Sequence, residues 1–118
     1  MPDGRPVLVV ISEDPRLSHR ANEAMRIALG VVAGENEVAV VLSGPAVHLL
    51  DADTDDLVDG DDIAKFRAAL KKLGIVFHIE AGTAPADPDW NADGHPVAPI
   101  DAGGVAALAA RASRYLVF

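Results

Sequence analysis

Val7-Leu-Val-Val-Ile11, then Ser12-Glu13-Asp14-Pro15, then the alanine-rich stretch reaching Val32 is the part of the chain that decides its fold. Arg5 to Ile11 forms a short, β-branched, continuous apolar run. Such a run suits a strand buried on both faces of a sheet. Asp14 and Pro15 have the chemistry of an N-cap followed by proline in the first helical position. Leu17, Ala21, Ala24, Met25, Ala28, Leu29 and Val32 then recur at helical spacing, with Arg20, Glu23 and Arg26 on the other side. The spacing predicts a helix over 15–32, ended by Gly34 in the left-handed conformation.

Moving outward, the same alternation repeats. Glu37-Val-Ala-Val-Val-Leu42 reads as a second buried strand, broken by Ser43-Gly44-Pro45. Ala46 to Leu50 is a short apolar element of undecided type, and Asp51 to Asp62 is an acidic loop. Asp61 or Asp62 is expected to cap a second helix with Ile63, Phe66, Leu70 and Leu73 on its apolar face. Lys65, Arg67, Lys71 and Lys72 are placed elsewhere on it, and Gly74 stops it. Ile75-Val-Phe-His-Ile79 reads as a third strand. Glu80 to Pro99, rich in Pro, Asp, Gly and Ala, reads as irregular. Asp101 is expected to cap a third helix with Val105, Leu108, Ala109 and Ala112 inward. Arg114-Tyr-Leu-Val-Phe118 closes the chain as a strand. Strands alternating with helices predict an α/β fold with right-handed crossovers and a mainly parallel sheet of four to five strands.

Bulk composition narrows the function classes. The 118 residues match the usual size of one domain, so residues 1–118 are read as a single unit. Five aromatic residues in a chain that is 50% hydrophobic leave the core to Val, Leu, Ile and Ala. The net charge is −8, and seven of the 18 acidic residues fall between Asp51 and Asp62. A nucleic-acid binder needs a basic patch to replace phosphate counterions, and an anionic membrane surface repels such a chain. No nucleic acid and no membrane are therefore expected as partners. No apolar run is long enough to span a bilayer, and Val7 to Ile11 is too short for the core of a secretion signal. A cytoplasmic protein is expected. With no cysteine, the chain has no disulfide, no thiolate metal site and no thiol nucleophile.

In open α/β sheets, ligands settle beyond the carboxyl ends of the strands. Those ends are Ser12-Glu13-Asp14, Ser43-Gly44-Pro45 and Glu80-Ala-Gly-Thr83. The candidate ligand-binding residues are accordingly Ser12, Glu13, Ser43, Gly44, His78, Glu80 and Thr83. His78 and Glu80 are two apart and share one face of a strand. His19, His48, His78 and His95 show no close ligand spacing, so no metal site and no cofactor are expected.

The familiar motifs fail on inspection. Asp89-Trp-Asn-Ala-Asp-Gly94 matches the first half of a calcium-binding EF-hand loop. Its twelfth position is Ile100, where a bidentate glutamate is needed. Asp51 to Asp62 lacks the central glycine. Its seven carboxylates leave weak binding of a divalent cation as a further expectation. No Gly-x-Ser-x-Gly, no phosphate-binding loop and no dinucleotide fingerprint occurs, so no catalytic residues are assigned.

Several of these stretches together resemble the DsrE/DsrF-like family of small α/β proteins. They are Val7 to Ile11, the helix from Pro15 to Val32, and Val38 to Leu42 with Ser43-Gly-Pro-Ala-Val47. Phe66 to Leu73 with Gly74-Ile-Val-Phe-His-Ile79, and Ala112 to Phe118, complete the match. The resemblance implies a three-layer α/β/α sandwich and assembly into a homo-oligomer or with a related DsrE-like subunit. It also implies a persulfide-carrying cysteine just after the third main strand. Here that place holds Glu80-Ala-Gly-Thr-Ala84, so the sulfur-carrying role does not transfer. The expected function is a non-catalytic binding or oligomer-building subunit. The alternative is a small-molecule-binding or enzymatic domain using the strand-end cleft around Glu80, His78 and Ser43.

Overall fold

A computed structural model describes residues 6–118, so Arg5, the expected start of the first strand, lies outside the described residues. Val7–Ile11 forms β1, Val38–Leu42 β2, Phe77–Glu80 β3, Val97–Ile100 β4 and Arg114–Val117 β5. They make one sheet in the order β4-β3-β2-β1-β5, with every pairing parallel. β1 lies between β2 and β5, which explains its unbroken apolar sequence. Leu8, Val9 and Ile11 are all fully buried there.

Helices α1 (Arg20–Ala33) and α2 (Gly60–Lys72) cover one face, helped by a 3₁₀ helix over Gly44–Leu50. The core between them is aliphatic. It joins Val7, Val9, Ile11, Val40, Leu42 and Phe77 of the sheet to Ala21, Met25, Leu49, Leu50, Ile63 and Leu70. Helix α3 (Ala102–Arg111) lies over the opposite face, where Gly104 approaches Ile100 of β4 and Leu108 stands near Ala39 and His78. Topology explains the division. The crossovers from β1 to β2 and from β2 to β3 step one way across the sheet, whereas β4 to β5 steps back. A right-handed connection in the reverse direction must use the other face. Among the described residues no helix is long and apolar enough to cross a membrane.

Several expectations need correction. α1 begins at Arg20 rather than Pro15. Asp14 does not cap it; its carboxylate accepts from the backbone and guanidinium of Arg16, and its carbonyl closes a separate turn onto Leu17 and Ser18. Leu17 remains 82% exposed, so extending the helix back through it would bury nothing. At the other end Gly34 has φ −81°, and Glu35 takes the left-handed conformation at φ 65°. Glu35 N donates to Val32 O and Asn36 N to Val31 O, a Schellman closure. The N-cap of α2 is Asp59, with Asp61 and Asp62 in its first turn, where they favour the helix dipole. Glu80 and Val97 to Pro99, expected within an irregular stretch, are strand residues. β4 is an edge strand containing Pro99, and proline is tolerated at an edge because its missing N–H can face outward.

Two expectations about ends held. Asp101 caps α3, its Oδ1 accepting from Gly104 N at 2.7 Å. Gly74 ends α2 at φ 74°, with Ile75 N donating to Leu70 O.

Candidate functional site

The connections leaving β2 and β4 pass to opposite faces of the sheet. Between them, at the carboxyl ends of β2, β3 and β4, a crevice is left, as the general rule for such sheets requires. It is a cavity of about 510 Å³ lined by Ser43, Glu80, Ala81, Ile100, Ala102 and Val105, with Asp101 at its edge. Ser43 follows the last residue of β2, and Glu80 is the last of β3. Ser43 Oγ donates to Glu80 Oε1 at 2.5 Å, and both residues are half-buried. Gly104 keeps the helix wall close. A Cβ there would stand 2.6 Å from Ile100 Cγ1.

The structure joins only part of the expected set. Thr83 is structural, closing the turn after β3 by donating from Oγ1 to Glu80 O at 2.7 Å. Gly44 sits at φ 54°, opening the 3₁₀ helix, and is exposed. Ser12 and Glu13 point their backbone elsewhere. Both N–H groups donate to Phe118 O, as does Ser12 Oγ at 3.0 Å, which ties β1 to the end of β5. His78 shares the face of Glu80 but belongs to a different hollow, about 630 Å³, between Ala39, Val76, Leu108 and Arg111. Burial holds its pKa below the ordinary imidazole value.

Two residues escaped sequence reasoning. Arg67, expected off the apolar face of α2, is buried. Its NH1 donates to Leu49 O at 3.0 Å and to Asp51 O, and its NH2 to Ala52 O at 3.2 Å and to Asp93 Oδ2 at 3.1 Å. One guanidinium thus gathers the 3₁₀ helix, the acidic loop and the segment before β4. Burial lowers its pKa, while Asp93 and Asp51 oppose that effect. The other is His95, buried against Phe77 with ring centroids 6.2 Å apart. The calcium-like segment is therefore spent on structure. Asp93 serves Arg67, Asp89 accepts from Asp53 N, and Asn91 clasps the backbone of His95.

No family model matches the chain, and no curated protein matches it by sequence. Strand order and layers define an α/β fold, a five-stranded parallel sheet with helices on both faces. Among solved structures the chain is similar to the ychN protein from E. coli, with a TM-score of 0.73 and 15% sequence identity. The match covers 97% of this chain and 99% of that one. At that identity the likeness speaks for the fold.

Proposed function

We propose that the protein is a non-catalytic, oligomer-building subunit, a single DsrE-like domain over residues 1–118 with no sulfur transfer of its own. The observation that carries this reading is the face covered by α3. That helix, Ala102-Gly-Gly-Val-Ala-Ala-Leu-Ala-Ala-Arg111, has one polar side chain, yet none of its residues is buried. A helix that is apolar all round needs cover on more than one side. Val105, Leu108, Ala109 and Ala112 turn inward and are half-buried, while Gly103, Ala106, Ala107 and Ala110 form an exposed stripe. On β5, Tyr115 and Val117 are 50% and 54% exposed. Exposed apolar residues on both α3 and β5 are the kind of surface that marks association in water. The occupant is a second copy of this chain or a related DsrE-like subunit. The missing cysteine supports the absence of persulfide chemistry and accords with a cytoplasmic setting. The net charge of −8 argues against nucleic acid as the partner.

Sedimentation equilibrium at micromolar concentration tests this. The wild type is expected as a defined oligomer, and Tyr115→Glu with Val117→Glu as a monomer with unchanged circular dichroism.

A second reading rests on the crevice, where a half-buried carboxylate meets a hydroxyl at 2.5 Å beside apolar walls. Such a combination suits a small ligand held by a few polar groups. A ligand screen by thermal shift decides it. Glu80→Ala and Ser43→Ala are expected to abolish any shift found for the wild type, and unchanged shifts in both variants contradict it.

A further inference from the structure

His95 is 5% exposed, and neither ring nitrogen has a hydrogen-bond partner among the described residues. A neutral imidazole has one N–H to give and one lone pair to receive, so both are unfilled here. The backbone around it is well tied. His95 N donates to Asn91 Oδ1 at 2.8 Å, and Asn91 Nδ2 donates to His95 O at 3.0 Å. The ring itself packs edge-on to Phe77 of β3. It behaves as an apolar wedge, a role that only the neutral form can fill.

The charged groups facing the ring are Arg67 and Lys71 from α2 and Asp93 from its own segment; from β3 the apolar ring of Phe77 meets it. Lys72 borders the same hollow of about 280 Å³. Asp93, the one acid among them, is already engaged. Its carboxylate accepts from Arg67, and its carbonyl accepts from Lys71 Nζ at 2.6 Å. A proton on the ring would add another cation beside two existing ones, with no acceptor positioned for it.

We propose that His95 is a pH-operated latch: neutral, its ring holds the segment 91–96 against α2 and β3; protonated, the ring leaves and the segment lifts. Burial first, then Arg67 and Lys71, set its pKa below the ordinary value, so release falls on the acid side of about pH 6.5. The consequence reaches further than the loop. Phe77 N donates to Pro96 O at 2.9 Å, and β4 starts at Val97, so the segment is the lead-in to an edge strand. That strand carries Ile100 into the wall of the crevice. The latch thereby couples acidity to the shape of the crevice.

Trp90, the one tryptophan of the chain, reports on this segment from the residue before Asn91; its Nε1 donates to Val47 O at 2.8 Å. Its fluorescence is followed from pH 8 to 4.5 alongside far-ultraviolet circular dichroism. The wild type is expected to show a red shift in one acid titration while helical signal persists. His95→Leu keeps the wedge without the proton and should lose that titration. Lys71→Met, which removes an opposing cation, should move the midpoint to higher pH, and this variant decides the matter if His95→Leu fails to fold. His48 also lies near Trp90, its Nδ1 3.0 Å from Asp51 Oδ2, so His48→Gln serves as control and should retain the titration. Persistence of the titration in His95→Leu, its loss in His48→Gln, an unmoved midpoint in Lys71→Met, or a shift that appears only with global unfolding would overturn the latch.

Discussion

Arg67 donates to the carbonyls of Leu49, Asp51 and Ala52 and to the Asp93 carboxylate from a buried position. Replacing it by methionine keeps the apolar stem and leaves those acceptors without their donor. The expected cost is about 3 kcal/mol, read as a lower urea midpoint at an unchanged m-value. Nothing in the sequence separates Arg67 from its lysine neighbours, because helical spacing records a face but not which cation on it meets buried carbonyls. His95 was equally hidden, since a single histidine in a Pro- and Gly-rich stretch carries no periodic signal. Acid sensitivity of the whole fold follows from the same residues. His78 and His95 both have a pKa depressed by burial. The unfolded chain therefore takes up their protons first as pH falls. Their full contribution to stability holds above about pH 6.5 and is lost as pH drops through the range between the unfolded and folded values. The urea midpoint should decline over that window, and the double variant His78→Gln, His95→Leu should flatten the decline.

At the level of elements, helix ends make the sharpest contrast. α1 and α2 close by the same hydrogen-bond pattern, but the left-handed position is Glu35 in one and Gly74 in the other. A side chain there strains the backbone, which glycine avoids. Glu35→Gly is expected to stabilise by about 0.5–1 kcal/mol and Gly74→Ala to destabilise by about 1 kcal/mol, both read from thermal midpoints. Sequence marked both ends within a residue, because glycine and the loss of apolar spacing coincide there. It placed the start of α1 five residues early, since Asp14-Pro15 suits a tight turn as well as a helix entry. β4 went unseen for a physical reason: Val97-Ala-Pro-Ile100 is short, contains proline and lies at an edge, so it lacks the apolar run that revealed β1 and β2. The crevice was legible through Ser43 and Glu80, which sit where parallel strands must end. Ser12 and Glu13 were misplaced because strand order, invisible in the sequence, puts β1 beside β5 and away from β3.

For the molecule as a whole, the two faces of the sheet are treated differently. α1, α2 and the 3₁₀ helix seal one face over an aliphatic core. Among the described residues the other carries one ten-residue helix with no buried residue, and on β5 Tyr115 and Val117 are exposed. That imbalance is the basis for reading the chain as a subunit. At the strand-end crevice, the Glu80 carboxylate accepts from the Ser43 hydroxyl. The sequence contains no cysteine, and the exposed apolar residues of α3 and β5 are what the proposal of assembly rests on. The measurement that bears on this most directly is the solution mass of the wild-type protein by sedimentation equilibrium at micromolar concentration. A defined multiple of the 12.3 kDa chain, reduced to one chain by Tyr115→Glu with Val117→Glu, is the predicted result. A wild-type mass of 12.3 kDa across that range, with no partner chain retained on native isolation, would contradict it.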